Sequence, residues 1–516
     1  MRARTAWARA PILGALAVAA AVVSCAPADS VLFDDVRIVD GTGAPAYGRA
    51  VRVRGDRIVE VGDLSPRRGE QVVDGGGLVL APGFVDTHSH HTRGLFETPE
   101  ALAAVSQGVT TIVSGQDGGS VLPLGPFLDR VDAEPPAVNV ASYTGHGTLR
   151  RTVLGDDYRR PSTPDEIDSM AALLRADMEA GSLGLSTGLE YDPGIYAPTD
   201  EVLALARVAA ERGGRYISHM RSEDRALFEA VDELVRIGRE TGMPVQVSHM
   251  KLAMRSLWGR AGELLARLDA ARAEGVDVTA DVYPYLAWQS GMTVLFPDRR
   301  YTREAAAFAL EELAPPEGMI IGRFSPEPSY EGMTLQEVAE LRGEDPVTTY
   351  LALIDAVHGP DAAEDAAEGI VARSMAPEDV AALLGWPHTN VSSDGELDGP
   401  HPRGFGAFTR VLGQYVREER VLGLEEAVHK MTGLSAAHVG LPDRGVIRPG
   451  AFADLVLFDA DVVADRATFD DPHRPSVGVA GVWVNGVRVW DGSAPTGARP
   501  GRALRRAPAP PPPARP

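Results

Sequence analysis

The chain has 516 residues, and 44% of them are hydrophobic. This length and composition allow a large buried core, with one big domain and a smaller one. The formal charge is −22, or −25 without the three arginines among the first nine residues. Because a strongly acidic chain repels phosphate, nucleic acid and anionic lipid surfaces are excluded as expected partners.

The N-terminus has the pattern of a secretory signal. Three arginines precede an apolar stretch over residues 11–23, which is too short to span a bilayer comfortably. The stretch leads into Val-Val-Ser-Cys, which resembles the lipobox of bacterial lipoproteins, and Cys25 is the only cysteine in the sequence. We therefore expect removal of residues 1–24, lipid modification of Cys25, and anchoring in the bacterial cell envelope on its periplasmic or cell-surface face. The alternative is an ordinary cleaved signal, or an uncleaved anchor, with an incidental cysteine.

Two distant segments have the short alternating runs of a small antiparallel β domain. Such runs, separated by Gly-rich turns, fill residues 31–82 and return at 453–458 and 481–490. We predict that residues 31–82 pair with residues 441–495 in one small β-sandwich domain. Residues 496–516 are predicted to be a Pro/Ala/Arg-rich tail, whose last nine residues are disordered or extended.

Between these segments, apolar strand-like runs alternate with helical patterns, which is typical of a (β/α)8 barrel. Thr163 and Glu166 have the spacing of a capping box, with Pro164 at the first helical position. We predict an α/β fold, a TIM-like barrel over residues 83–440. The gap between the last two strands is far longer than a usual connection, which predicts an insertion at about 287–387 that could cover the barrel mouth. The eight predicted strands lie at residues 84–88, 109–114, 137–143, 183–189, 216–219, 245–249, 276–283 and 390–394.

Two histidines follow the first barrel strand, in a Gly-Phe-Val-Asp-Thr-His-Ser-His sequence that ends at His90. In a strand, residues i and i+2 face the same side, so His88 and His90 point at one spot, where a divalent metal could bind. His219, His249 and Asp394 also stand at the ends of short apolar runs, where a parallel barrel places its catalytic side chains. The pattern predicts a metal site at the open end of the barrel.

Further motifs are spread over nearly all of residues 31–489. They are Gly-Val-Thr-Thr at 108–111, Gly-His-Gly-Thr-Leu-Arg at 145–150, Ser-Thr-Gly-Leu-Glu-Tyr at 186–191, Ser-His-Met-Lys at 248–251, Asp-Val-Tyr-Pro-Tyr at 281–285, Ser-Asp-Gly at 393–395 and His-Pro-Arg at 401–403. With the His-Ser-His motif, they resemble the metal-dependent amidohydrolase superfamily. Within it, they resemble the N-acyl-D-amino-acid deacylase (D-aminoacylase) family.

This resemblance implies a hydrolase with one or two Zn²⁺ ions, or another divalent metal. It implies His219 and His249 as ligands of the tightly held ion. It also implies His88, His90 and Asp394 around a second ion that is weaker or absent.

The chain departs from the family at the end of the second strand. Family members usually place a cysteine there to ligate or bridge the metals, whereas this segment reads Val-Ser-Gly-Gln-Asp-Gly-Gly over residues 113–119. Asp117 aligns with that cysteine, and a carboxylate is a zinc ligand that also tolerates harder ions such as manganese. We predict that Asp117 is a metal ligand. The alternative is a turn residue in a Gly-rich loop.

Asp394 is placed to orient a water molecule, take its proton and deliver it to the departing nitrogen. By resemblance, Tyr191 donates a hydrogen bond to the developing oxyanion. Lys251, Tyr283 and Arg403 match positions that hold the carboxylate of the amino acid in the family. The structural alternatives are a turn or helix cap for Asp394, packing at the barrel rim for Tyr191, and solvated rim charges for Lys251 and Arg403.

Three functions compete. The leading one is hydrolysis of the N-acyl bond of a small molecule, an N-acyl-D-amino acid or a related dipeptide, with membrane contact only through the N-terminal lipid. The second is a cyclic amidase of the hydantoinase or dihydroorotase kind. Those enzymes typically bridge two metals with a modified lysine on the fourth strand, and residues 183–189 contain no lysine. The third is an envelope lipoprotein that keeps the barrel as a binding scaffold without catalysis.

Overall fold

The computed structural model describes residues 30–363 and 365–506. The predicted signal segment with Cys25 and the last ten residues of the predicted tail lie outside this part of the chain. Among the described residues, no helix combines the length and the apolar character needed to cross a bilayer.

Eight parallel strands form the central barrel and confirm the predicted (β/α)8 fold. They lie at Phe84–Asp86, Val109–Ser114, Asn139–Ser142, Gly184–Gly188, Arg215–His219, Val245–Val247, Val278–Val282 and Thr389–Val391, and Thr144–Gly145 continues the third strand. Backbone hydrogen bonds close the ring, since Leu183 N donates to Ser142 O at 2.9 Å and Asp394 N donates to His88 O at 2.9 Å. The carboxyl ends of the strands therefore surround one opening.

Helices cover the outside of the barrel. They lie at Leu102–Val105, Leu124–Ala133, His146–Leu154, Pro164–Ala180, Thr199–Ala210, Leu227–Thr241, Ala261–Ala273, Pro377–Gly385, Arg403–Arg410, Leu424–Met431 and Gly433–Val439, with 3-10 turns at Gly155–Asp157, Gly194–Tyr196 and Arg255–Leu257 and a π-helix at Val411–Glu418. The predicted capping box is present, because Glu166 N donates to Thr163 Oγ1 and Thr163 N donates to Glu166 Oε2. Apolar residues at helical spacing, such as Leu227, Val231 and Leu234, are buried on one side of a helix, and this burial holds the helical layer on the strands.

The insertion between the seventh and eighth strands is a small subdomain around a three-stranded antiparallel sheet. Its elements are the strands Ala287–Ser290, Met319–Phe324 and Glu368–Arg373, the helices Arg303–Phe308, Leu335–Arg342 and Pro346–His358, the 3-10 turns Met292–Leu295 and Pro328–Tyr330, and the π-turn Ala309–Leu313. The predicted end at residue 387 is too late, since helix Pro377–Gly385 packs on helix Ala261–Ala273 and on the last strand as a barrel helix does.

Both ends of the chain share one eight-stranded sheet. Its strands are Ser30–Ile38, Tyr47–Arg54, Arg57–Gly62, Gln71–Asp74, Val79–Pro82, Leu455–Phe458, Val479–Val484 and Val487–Trp490. Val79–Pro82 pairs antiparallel with Leu455–Phe458, which joins the two segments. The sheet is mixed and not purely antiparallel as expected, because Ser30–Ile38 pairs in parallel with Gln71–Asp74 and with Val79–Pro82.

Residues 496–506 belong to the folded body, although they were predicted to be part of a tail. Val140 N donates to Arg502 O at 2.9 Å, and Leu504 N donates to Val140 O at 2.7 Å, so the segment pairs with the start of the third barrel strand. Ion pairs fasten it further, namely Arg499 with Glu100, Arg502 with Asp56, and Arg505 with Asp132. The acidic surface thus holds a basic segment that has little apolar periodicity of its own.

Candidate metal centre and active site

The ends of the barrel strands bring together the six residues that the sequence predicted as metal ligands. Three of these residues, Asp117, His249 and Asp394, have positive φ angles of 53°, 33° and 48°. Such backbone conformations cost a non-glycine residue about 1–3 kcal/mol, and they cluster at functional sites where the surrounding fold enforces them. The turns after the strands therefore hold these three residues at the opening in backbone conformations that their residue types disfavour.

The first group of possible ligands contains His88, His90, Asp117 and Asp394, whose ligand atoms lie within 4.8 Å of one another. His90 Nε2 is 3.1 Å from Asp394 Oδ1 and 3.3 Å from Asp117 Oδ2. His88 Nε2 is 3.4 Å from Asp394 Oδ1 and 3.3 Å from Asp117 Oδ2. Two imidazoles and two carboxylates converging in this way form a donor set that zinc accepts.

The second group contains Asp117, His219 and His249. His219 Nδ1 and His249 Nε2 face each other at 2.9 Å, and His249 Nε2 is 3.4 Å from Asp117 Oδ1. Asp117 Oδ1 is buried and has no hydrogen-bond partner in the described part of the chain. An orphaned carboxylate oxygen beside two imidazole nitrogens fits zinc, and Asp117 belongs to both groups.

The outer nitrogens of three histidines each face a buried carboxylate, a contact that fixes the tautomer and raises the basicity of a histidine ligand. The pairs are Glu190 Oε2 with His219 Nε2 at 2.9 Å, Glu223 Oε1 with His249 Nδ1 at 3.0 Å, and Asp281 Oδ1 with His88 Nδ1 at 3.5 Å. No role was predicted for these three acids. Only Asp281 carried a usable signal, since it lies two residues before Tyr283 in the predicted seventh strand and so on the same face, whereas side chains in loops have no regular spacing.

Burial and neighbouring charges shift the pKa values of these acids in different directions. Burial alone raises the pKa of Asp117, but His88 and His249 outweigh it and hold this pKa well below its usual range. At Asp394, burial raises the pKa of the carboxyl, but Arg403 and His88 outweigh burial and lower this pKa. Asp117 and Asp394 therefore carry the negative charge that a metal cation requires.

The predicted substrate residues line one cavity with the metal-facing side chains. Lys251 Nζ donates to Glu223 at 2.7 and 2.8 Å, and Arg403 Nη1 is 2.6 Å from Asp394 Oδ2. The Tyr283 ring lies 4.8 Å from the Arg403 guanidinium. The insertion supplies the opposite wall, with Trp288, Val294, Leu295 and Leu313.

Tyr191 stands over the second group of possible ligands. Its ring centroid is 4.2 Å from that of His219. On one side it borders the cavity with Lys251 and Arg403, and on the other a second cavity of about 320 Å³ that includes Asp117 and Thr148. Tyr191 thus packs on a histidine of the second group and borders two cavities where parts of a substrate can lie.

A (β/α)8 barrel with imidazoles and carboxylates converging at its carboxyl end defines the class of metal-dependent barrel hydrolases. Residues 71–314 and 295–490 match the amidohydrolase family. The chain belongs to this family.

Characterised relatives narrow the chemistry. N-acyl-D-glutamate deacylase and D-aminoacylase of Alcaligenes xylosoxydans xylosoxydans are each 38% identical to the chain, over 91% of it and 95% and 96% of their own lengths. A crystal structure of N-acyl-D-glutamate deacylase from Bordetella bronchiseptica, with zinc and a phosphonate mimic of the tetrahedral intermediate, superposes with a TM-score of 0.83 at 37% identity, covering 92% of this chain and 99% of that one. A D-aminoacylase structure concerned with one-metal activation and second-metal attenuation of a binuclear centre superposes with a TM-score of 0.82 at 36% identity. The match covers 93% of this chain and 100% of that one. The protein is a metal-dependent amidohydrolase of the kind that acts on linear amides, and zinc is the metal in the N-acyl-D-glutamate deacylase structure.

Proposed function

We propose that the protein hydrolyses the N-acyl amide bond of N-acyl-D-amino acids, or of related dipeptides that contain a D-amino acid, to a carboxylic acid and a free D-amino acid. The proposal rests above all on one observation, the shared cavity of the metal-facing histidines with Lys251, Tyr283 and Arg403. A carboxylate bound by these residues positions an N-acyl bond beside the metal groups. The similarity to deacylases of N-acyl-D-amino acids supports the same substrate class.

In this proposal, Asp117, His219 and His249 would hold the first zinc ion, and His88, His90 and Asp394 would hold a second. Zinc, when bound, polarises the amide carbonyl and lowers the pKa of water. Asp117 is the carboxylate that both groups share, in the position where the family usually has a cysteine. The outer carboxylates of Glu223 and Glu190 keep the two histidines in orientation.

Asp394 is the proposed general base and acid. It takes a proton from the attacking water as the new C–O bond forms, and it delivers this proton to the amide nitrogen as the C–N bond breaks. Arg403, 2.6 Å from its outer oxygen, orients the carboxylate. Tyr191 donates a hydrogen bond to the carbonyl oxygen, where negative charge develops.

A panel of N-acetyl-D- and N-acetyl-L-amino acids tests the function with zinc-loaded protein. We expect cleavage of D-forms, including N-acetyl-D-leucine, with kcat/KM well above that of the L-forms. Cleavage of L-forms alone, or of a cyclic amide such as a hydantoin in place of linear substrates, contradicts the proposal. Protein stripped of metal with a chelator and then resupplied with zinc provides the control, since activity should return with zinc.

We also propose that the protein is exported and lipid-anchored in the bacterial cell envelope through Cys25. This proposal is supported by the N-terminal sequence, in which three arginines precede an apolar stretch that ends in Val-Val-Ser-Cys. Metabolic labelling with a fatty acid should mark the wild type and not a Cys25→Ser variant. Unlabelled wild-type protein in a host that labels a known lipoprotein contradicts the anchor.

A further inference from the structure

The positive charges of the substrate cavity are already matched by carboxylates. Lys251 lies against both oxygens of Glu223, and Arg403 lies against Asp394. Among the described residues that line this cavity, no other lysine or arginine is present. These two cations can take the α-carboxylate of a substrate, but the cavity holds no third cation for a second carboxylate.

Two further acids line the same cavity, and no lysine or arginine pairs with their carboxylates in residues 30–363 and 365–506. Asp224 accepts hydrogen bonds only from Ser222 Oγ and from the backbone N–H of Arg225. Glu190 faces His219 at 2.9 Å. Glu190 is thus already paired with an imidazole, and Asp224 is the acid of this cavity that has no cationic partner among the described residues. The cavity is therefore acidic on the side of these residues.

The remaining wall comes from the insertion and is mostly apolar, with Gln289 and Ser290 as its polar residues. Trp288, Leu295 and Leu313 are 7%, 7% and 3% exposed, and all three line the cavity. The indole Nε1 of Trp288 is buried and has no hydrogen-bond partner in the described chain, so the wall offers this neutral donor beside Gln289 and Ser290. An alkyl or aromatic side chain, or one that ends in a neutral acceptor, suits this surface.

We propose that the side-chain pocket accepts N-acyl-D-amino acids with apolar, neutral or positively charged side chains and discriminates against acidic ones. The inference rests on the proposed function and specifies its substrate class. A substrate carboxylate beside Asp224 meets repulsion, and the neutral indole, amide and hydroxyl groups of the insertion wall offset it less than a cation would. The chain thus differs in selectivity from its 38%-identical relative named for N-acyl-D-glutamate.

The test compares N-acetyl-D-glutamine with N-acetyl-D-glutamate, which are nearly equal in shape and differ by one charge. With zinc-loaded wild-type protein, we expect kcat/KM for the glutamine substrate to exceed that for the glutamate substrate by about tenfold or more, the range of one repulsive charge pair at intermediate dielectric. Asp224→Asn should narrow this ratio severalfold, because it removes one repulsive charge. Asp232→Asn is the matched control, since Asp232 is a 62%-exposed acid paired with Arg267 outside the cavity, and it should leave the ratio unchanged.

The outcomes separate the inference from the proposed function. Equal or faster cleavage of N-acetyl-D-glutamate by the wild type overturns the selectivity and leaves the deacylase function intact. Cleavage of N-acetyl-D-leucine establishes the function independently of either substrate in the pair. No cleavage of any of the three overturns both. The wild-type ratio decides the question even where the Asp224 variant does not fold.

Discussion

Polar side chains are buried at both ends of the barrel, but the two ends differ in how far the hydrogen-bonding groups of these side chains are satisfied. At the amino end, against the β domain, Asp454 pairs with Arg444 and also accepts a hydrogen bond from Asn485 N at 2.7 Å. Asn485 in turn donates to Asn139 Oδ1 at 2.8 Å. At the carboxyl end, the backbone of Asp117 is in the left-handed region, and its Oδ1 has no hydrogen-bond partner among the described residues.

This difference separates groups that hold the fold from groups that do chemistry. A buried network in which partners satisfy one another stabilises the packing around it. Buried groups that lack protein partners cost stability, and proteins keep them where a ligand supplies the missing contact. The comparison can be tested at both ends.

The largest effect is expected from Asp394→Asn at the carboxyl end. An amide cannot take a proton from water, so kcat should fall by about 10²–10⁴-fold while the protein remains folded. Steady-state kinetics on an N-acetyl-D-amino acid measures the effect, and thermal unfolding checks the fold. Asp398→Asn, an exposed acid in the same loop, is the control and should keep wild-type activity. Undiminished kcat in the Asp394 variant removes its proposed role.

Arg444→Met at the amino end should act on stability. It leaves Asp454 buried without its cation, which costs about 3–5 kcal/mol in the free energy of unfolding. Denaturant unfolding measures this, and kcat per folded molecule should not change. Arg448→Met removes a half-exposed arginine that pairs with Asp443, and it should cost less than about 1 kcal/mol. Similar losses in both variants contradict the contrast between the two ends.

Asp117→Asn tests the shared carboxylate. Loss of a contact to a metal ligand typically costs 10–100-fold in metal affinity, so loss of a direct ligand should cost about 100-fold or more. Zinc content after dialysis against a chelator series gives the measurement. Asp117→Cys, which places a thiolate in the same position, should retain zinc. Equal zinc affinity and activity in the Asn variant show that Asp117 is only a turn residue.

The smallest effect concerns Lys430, an exception at the amino end. Its ammonium is buried and donates to the carbonyl oxygens of Trp386 and Thr389, and burial lowers its pKa to about 8. At pH values between about 8 and the usual pKa of a lysine, the unfolded chain binds more protons than the folded one, so the free energy of unfolding rises with pH. Relative to Lys430→Met, wild-type stability should rise by about 1.4 kcal/mol per pH unit above pH 8. A flat difference between pH 7 and 10 contradicts the shifted pKa.

The sequence predicted the strands of the barrel and the convergence of His88, His90, His219, His249 and Asp394, because both follow from local patterns. A short apolar run ending in a polar residue identifies a barrel strand and the end that carries function. The metal roles of these residues stay predictions until zinc is measured.

The missed features depend on contacts between distant residues. Glu190 and Glu223 lie in loops, and their direction toward His219 and His249 follows from the folded backbone. Residues 496–506 have the composition of a tail, yet three arginine ion pairs and strand contacts hold them on the barrel. No local pattern reveals such long-range partners.

The pairing of strand Val79–Pro82 with strand Leu455–Phe458 delays the completion of the β sheet during synthesis. About 370 residues separate the two strands, and a ribosome adding roughly 5–20 residues per second needs about 20–75 s to make them. During this time the first half of the sheet has no partner, and the ring of strands is open. The polypeptide therefore reaches its native topology only near the end of its synthesis, and its first strands remain without their C-terminal partners until then.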